Sequence, residues 1–243
     1  MIAMIFAAGK GERLGKISKY YQKCILPVAG KPLIIHWLEA LYEQEIEILP
    51  RVVMGYKQEQ VEDMIETGRF AKRKNIHYLT REPKDHIWKD MTSYIMKNWK
   101  DKSEKRESVL LCLGDNYSTA LVDIIREMLS YGNYCSVVGL IPISNCSHSK
   151  EEAITGKRVF QDQELYEIVE YRMGVESFKS THAMACAGIG VFTPEAISLT
   201  SDLKTLPEAL SLLANKGMLY GHRITQDYID IGTPENFRAL SAI

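Results

Sequence analysis

The chain lacks a bias of charge. Among its 243 residues, 30 Lys and Arg meet 31 Asp and Glu, a formal net charge of −1 at pH 7. No global field draws nucleic acid or an anionic membrane to it, so any phosphate it binds must be held by a local site. Cysteine is sparse. Its five copies, Cys24, Cys112, Cys135, Cys146 and Cys186, form no Cys-x-x-Cys pair and no Cys/His cluster at zinc spacing. An odd, scattered set reads as reduced thiols in a cytoplasmic setting. No apolar run approaches the roughly 18 residues of a membrane span. The opening MIAMIFAAGKGERLGK has too short an apolar part, and too little charge before it, for a secretion signal. Neither an internal repeat nor a Pro/Gly/Ser-rich linker divides the chain, so one domain over 1–243 is expected.

What is present suits a packed core. Hydrophobic residues make up 46% and charged residues 25%, which excludes disordered, collagen-like and coiled-coil compositions. Short apolar runs at 2–7, 51–54, 76–79, 109–113 and 135–141 read as strands. Between them, 32–44, 58–66, 91–99 and 121–129 carry helical spacing, and 206–216 and 234–240 add two helices at the end. Strands alternating with helices imply βαβ units and a mostly parallel sheet, hence a three-layer α/β class. The stretch 153–192 is rich in β-favouring residues and reads as antiparallel ribbons inserted into that sheet.

The first strand runs directly into Ala7-Ala8-Gly9-Lys10-Gly11-Glu12-Arg13-Leu14-Gly15. Glycines here let a backbone approach a ligand and aim N–H groups at phosphate oxygens. Two familiar phosphate loops fail on spacing. The dinucleotide fingerprint wants a third glycine where Leu14 stands, and the P-loop wants Lys-Ser/Thr where Lys16-Ile17 follows Gly15.

What remains is Gly-x-Gly-x-Arg-Leu, followed by Lys23-Cys24-Ile25-Leu26-Pro27-Val28-Ala29-Gly30-Lys31-Pro32-Leu33. Over positions 5 to 33 the chain resembles the nucleoside-triphosphate:sugar-1-phosphate nucleotidyltransferases, glucose-1-phosphate thymidylyltransferase and mannose-1-phosphate guanylyltransferase among them. Two separated motifs agree in order and distance. The resemblance implies a three-layer αβα, Rossmann-like fold of the nucleotide-diphospho-sugar transferase type, with a mixed, mostly parallel sheet. It places Ala8, Gly9 and Gly11 at the nucleotide. It implies that Arg13 holds the leaving portion of the triphosphate and that Lys23 polarises the α-phosphate. A plain surface role accounts for either cation alone; the flanking pattern favours the functional one. Lys31 reads as the entry to a helix.

Val109-Leu110-Leu111-Cys112-Leu113 ends in Gly114-Asp115-Asn116. In open α/β sheets ligands sit beyond the carboxyl ends of strands, which puts Asp115 in the crevice. Mg²⁺ takes one or two carboxylates plus waters and substrate phosphates, so one aspartate at a strand end suits it. Capping of the following turn explains Asp115 equally well in isolation. Near the other end stands Tyr228-Ile229-Asp230-Ile231-Gly232-Thr233-Pro234-Glu235. Thr233 and Pro234 make a good helix start. The family carries a nearly identical run whose Asp is the second metal ligand, which implies that role for Asp230 rather than Asp227. Met54-Gly55-Tyr56-x-x-Glu59 also echoes the family and reads as structural. The family's appended hexapeptide-repeat β-helix is expected to be absent, and acyltransferase activity with it.

Three departures bear on the substrate. The family's Gly-Thr-Ala near the base stands here as Met91-Thr92-Ser93, which leaves Thr92 and Ser93 as base-side candidates. Its Glu-Lys-Pro stands as Glu170-Tyr171-Arg172, and its Ala-Asn-x-Gly as Ala185-Cys186-Ala187-Gly188. By that correspondence Glu170, Arg172 and Gly188 form the acceptor side, with Arg172 replacing the lost lysine one position later. Strand alternation puts Glu170 and Arg172 on one face, and Val169 and Tyr171 on the other. Among the histidines, His36 reads as core, and His148, His182 and His222 have no partner at a recognisable spacing. The expected activity is Mg²⁺-dependent transfer of a nucleotidyl group from an NTP to a sugar-1-phosphate or similar phosphorylated polyol, with release of pyrophosphate. A cytidylyltransferase acting on phosphocholine or inositol phosphate, and a non-catalytic regulatory relative, are the alternatives. Neither nucleic acid nor a membrane is an expected partner; a homo-oligomer is compatible with the sequence.

Overall fold

A computed structural model describes residues 1–68, 75–81, 86–100, 106–142, 151–159, 164–173 and 183–241. His148, His182 and Cys146 fall outside them; the four described cysteines are free thiols. Along the chain come β1 (Ile2–Ala7), α1 (Lys16–Tyr20), β2 (Pro27–Val28), β3 (Lys31–Pro32), α2 (Leu33–Tyr42), β4 (Leu49–Met54), α3 (Gln58–Thr67) and β5 (His77–Thr80). Next are α4 (Ile87–Lys100), β6 (Val109–Leu113), β7 (Asn116–Tyr117), α5 (Leu121–Tyr131) and β8 (Ser136–Pro142). The rest is β9 (Glu151–Arg158), β10 (Leu165–Met173), β11 (Ala183–Phe192), α6 (Pro194–Thr200), α7 (Leu206–Asn215), β12 (Leu219–Arg223), β13 (Ile229–Asp230) and α8 (Pro234–Ser241). The architecture is α/β, as the alternation of elements implies, and its sheet is mixed, as the family resemblance implies. No described helix is long and apolar enough to cross a membrane.

The contacts group into two compact units, where the sequence suggests one domain. The first comprises Met1–Lys84, Leu111–Ile125 and Asp227–Ile243; the second comprises Asp85–Leu110 and Arg126–Gln226.

In the first unit the strand order is β5-β4-β1-β6. β1 pairs with β4, and β4 with β5, all parallel. Every residue of β1 is buried, as expected of a parallel strand covered on both faces. Gly114 sits where a Cβ would lie 3.0 Å from the carbonyl oxygen of Phe6, so β6 leaves the sheet closely against β1. β7 and β13 form a separate antiparallel ribbon, with Asp230 opposite Asn116.

The second unit joins five strands in the order β11-β8-β12-β10-β9, and β9 also pairs with the start of β11, which closes the circuit. Only β8–β12 is parallel among the pairings recorded in this unit; the ribbons read from 153–192 are antiparallel as expected. Its interior is crowded. A Cβ on Gly221 would lie 2.2 Å from Leu140, and one on Gly139 would lie 2.7 Å from Ile189. α7 packs on β10 and β12, and α4 on α6 and α7. Thr205 and Glu208 form a reciprocal cap at the start of α7.

Candidate active site

The first unit holds four of the charged residues singled out in the sequence, and it brings them together. β1 ends at Ala7, and the chain turns through Gly9 and Gly11 into a short 3-10 turn over Glu12–Leu14 that carries Arg13. Gly11 adopts φ +64°, the left-handed region where a side chain is strained. A Cβ there would touch the Lys23 stem at 3.4 Å. Lys23 opens a second 3-10 turn and is buried, with a side chain 10% exposed. A solvated surface role for it is therefore ruled out.

The acids arrive on the ribbon. Strand pairing puts Asp230 opposite Asn116, and the Ile231 N–H donates to the Asp115 carbonyl at 2.9 Å. Asp115 and Asp230 are thus diagonal neighbours. The buried Trp37 indole donates to the Asn116 carbonyl at 3.0 Å and fixes the ribbon on α2. Thr233 caps α8, accepting from the Asn236 N–H at 3.3 Å, while the Asn236 amide donates to the Asp230 carbonyl at 2.7 Å.

The Lys23 ammonium is ion-paired to Asp115 and stands 3.9 Å from Asp230 Oδ1. Arg13 Nη2 donates to Asp230 Oδ2 at 3.1 Å. Asp230 Oδ1 also accepts the Gly232 N–H at 2.6 Å. Two cations and two carboxylates thus form one cluster, with Arg13 half exposed and both aspartates about one-third exposed. Beside it, burial pushes the Cys24 thiol far above its usual range, reinforced by the Asp115 charge. That thiol is no nucleophile.

Gly55 confirms a structural reading of the Gly-Tyr motif. A Cβ on it would lie 3.0 Å from Ala8, and the Tyr56 hydroxyl donates to the Ser18 carbonyl at 3.0 Å. Lys31 pairs with Glu39 at 2.7 Å. His36 is bonded to the Val28 carbonyl at 2.8 Å and lies edge-on to Tyr117.

The remaining candidates belong to the second unit. Thr92 is buried on α4, its hydroxyl near the carbonyls of Lys89 at 3.3 Å and Ser201 at 3.4 Å; Ser93 is exposed. Gly188, at φ +72°, sits in the register shift between Cys186 and Gly190 of β11, where a left-handed residue makes the bulge. Arg172 grips Glu170 with two hydrogen bonds of 2.8 and 2.7 Å. They hold the Glu170 carboxyl below its usual range. The pair shares one face and Tyr171 is buried on the other, as alternation implies. Val169 does not follow: register shifts in β10 leave it 49% exposed.

Three contributors escaped the sequence reading. Gln22 is buried; its amide nitrogen donates to the Ala7 carbonyl at the start of the glycine loop and stands 3.5 Å from that of Gly9, and its amide oxygen accepts the Cys24 N–H beyond the loop. Gly232 lies so close that a Cβ would sit 2.7 Å from Arg13 Nη2 and 2.8 Å from Asp230 Oδ1. Asn236 holds the Asp230 backbone. Only Gly232 carried a sequence signal, as the glycine between Asp230 and the helix cap.

Comparison with known proteins bears on the family and the fold. The chain is 26% identical over 245 residues to the bifunctional protein GlmU of Methanococcus maripaludis, a match covering 96% of the chain and 52% of that relative. The corresponding protein of Methanococcus vannielii is 24% identical over 246 residues, with the same coverage. The chain thus spans about half the length of the curated relatives it matches. Among solved structures, a UDP-glucose pyrophosphorylase complexed with UDP-glucose superposes with a TM-score of 0.77 at 19% identity, covering 99% of this chain and 97% of that one. A Bacillus anthracis protein assigned as a glucose-1-phosphate thymidylyltransferase gives 0.74 at 19% identity, covering 100% and 94%. These show a shared fold. The nucleotidyl transferase family model matches residues 2–147, a span that includes the glycine loop, Lys23 and Asp115, and the chain belongs to that family.

Proposed function

We propose that the chain transfers a nucleotidyl group from an NTP to a sugar-1-phosphate or similar phosphorylated polyol and releases pyrophosphate. The observation that carries the reading is the convergence of Arg13, Lys23, Asp115 and Asp230 beside the glycine loop. A non-catalytic relative has no need to keep all four in contact. The names of two similar structures, UDP-glucose pyrophosphorylase and glucose-1-phosphate thymidylyltransferase, point to sugar phosphates as the acceptor class.

The donor set suits Mg²⁺. Among the described residues no group of three or more His, Cys, Asp or Glu could enclose a metal. Asp115 and Asp230 supply two hard oxygen donors, and Mg²⁺ completes its shell with waters and substrate phosphates. Bound there, it supplies charge neutralisation at the phosphate oxygens.

The residues have separable tasks. An oxygen of the acceptor phosphate attacks the α-phosphorus in line, a new P–O bond forms, and the bond to the β-phosphate bridging oxygen breaks. That oxygen leaves with pyrophosphate. The acceptor is already an anion, so no general base and no covalent enzyme intermediate are required, in keeping with an inert Cys24. Arg13, half exposed, takes the β- and γ-phosphates; Lys23, buried, neutralises charge growing on the α-phosphate. Glu170 and Arg172 serve the acceptor, the carboxylate for hydroxyls and the guanidinium for phosphate. The test is pyrophosphate release across a panel of four NTPs and phosphorylated acceptors, including hexose-1-phosphates, inositol phosphate and phosphocholine. Release with no pair overturns the reading, and phosphocholine as best acceptor overturns the polyol assignment.

A further inference from the structure

We infer that Gln22 is a positioning residue of this site, setting both the aim of Lys23 and the orientation of the glycine-loop peptides; the inference rests on the transferase reading above. A primary amide only 2% exposed is costly unless its donors and acceptor are used. Gln22 uses both ends. Its Nε2 donates to the Ala7 carbonyl at 2.5 Å and lies 3.5 Å from that of Gly9, while its Oε1 accepts the Cys24 N–H. Its own N–H donates at 2.8 Å to Gln60 Oε1, and Gln60 Nε2 donates at 2.8 Å to the Tyr20 carbonyl. One side chain therefore ties the end of β1 and the glycine loop to the turn that carries Lys23, and a second glutamine on α3 clamps that turn from outside.

Two effects follow. Lys23 is flanked by Gln22 and Cys24, whose backbone N–H groups are both held by glutamine side chains, so the stem of Lys23 has a fixed origin. That origin lies against Gly11 and directs the ammonium to Asp115 and Asp230. The second effect is on the loop. In a trans peptide the C=O and N–H point opposite ways. Drawing the Ala7 and Gly9 carbonyls toward Gln22 turns the Ala8 and Lys10 N–H groups to the other side, at a stretch where Gly9 and Lys10 are exposed. The amide thus presents backbone donors to an anion with no contact of its own.

The test uses inorganic tripolyphosphate as a base-free probe, titrated calorimetrically into the full chain. Wild type, Gln22→Leu, Gln22→Glu, Lys23→Ala and Gln22→Leu/Lys23→Ala are compared, with thermal unfolding measured alongside. Gln22→Leu loses every side-chain bond; the near-isosteric Gln22→Glu loses the donor, faces two carbonyl oxygens, and carries the test if the leucine variant does not fold. Each is expected to weaken tripolyphosphate about tenfold, the scale of a lost buried hydrogen bond. The cost of Gln22→Leu is expected to be at least about threefold smaller in the Lys23→Ala background, because coupled residues are not additive. A merely structural glutamine would lower the melting temperature with full additivity. Affinity within about twofold of wild type in the folded Gln22 variants, or equal cost in both backgrounds, overturns the inference and leaves the transferase reading intact. Absence of tripolyphosphate binding by the wild type overturns the transferase reading first, and the inference with it.

Discussion

The guanidinium of Arg13 donates to the carboxylate of Asp230 at 3.1 Å across 217 positions of sequence. Such a contact between a half-exposed arginine and a partly exposed aspartate adds little to stability, on the order of 0–1 kcal/mol. Its worth lies in placing a half-exposed cation beside the acid proposed to hold metal.

Asp115→Asn and Asp230→Asn are each expected to lower turnover by about 10²-fold or more while leaving the fold intact, because they remove a charge that matters most in the transition state. Chelation with EDTA is expected to abolish wild-type activity. Steady-state pyrophosphate release measures both effects, and circular dichroism checks the fold. Full activity in both variants sinks the metal assignment.

Gly232→Ala probes the same pair from beneath. The new methyl would stand 2.7 Å from Arg13 Nη2 and 2.8 Å from Asp230 Oδ1. The arginine tip can swing away, so the melting temperature is expected to move by only about 2–4 °C, the shift of roughly 1 kcal/mol in a chain of this size. The pairing cannot survive in place, so activity is expected to fall about tenfold. Unchanged activity with a lowered melting temperature would show that the spacing matters only to the fold.

Gly11→Val meets two obstacles, a φ of +64° and the Lys23 stem at 3.4 Å. A β-branched residue in the left-handed region costs at least about 1–2 kcal/mol. Binding of a non-hydrolysable NTP is expected to be lost as the loop and Lys23 move apart. Calorimetry reads the affinity and thermal melting the strain; unchanged affinity makes the loop a simple turn.

His222 gives the second unit a pH dependence. It is buried on β12, with Nε2 2.9 Å from Glu127 and its ring against Tyr131. Burial disfavours the imidazolium and outweighs the charges of Glu127 and Glu164, so its pKa is lowered. As pH falls, the unfolded chain takes the proton first. The stability owed to this group is complete above the ordinary histidine value of about 6.5 and is lost as pH drops from there through the folded-state value. Urea denaturation at two pH values either side of that window is expected to show a larger loss for wild type than for His222→Gln. Equal losses would assign the effect elsewhere.

Legibility in the sequence followed how local the cause was. β1 and β6 run as read, because each is an unbroken apolar run with a polar or glycine stop. β12 was not anticipated. It carries Gly221 and His222, and its glycine is there because Leu140 leaves no room for a Cβ, a cause that lies on another strand. β7 and β13 hold two residues each, too few for a periodicity. At the site, the charged residues were legible through their motifs. Gln22 was not, since its partners are backbone atoms with no sequence identity, and Val169 escaped alternation because the strand slips register beside it.

The ribbon that joins Asn116 to Asp230 also sets a timetable. Arg13, Lys23 and Asp115 all leave the ribosome long before Asp230 is made. Until then β7 has no mate, and the Lys23 ammonium has Asp115 but not its second acid. A nascent or prematurely terminated chain that ends before Tyr228 can carry the glycine loop and both cations and still lack half of the carboxylate pair. Under the proposed function, the carboxylate pair is thus the last part of the site to be made, and a strand of two residues completes it.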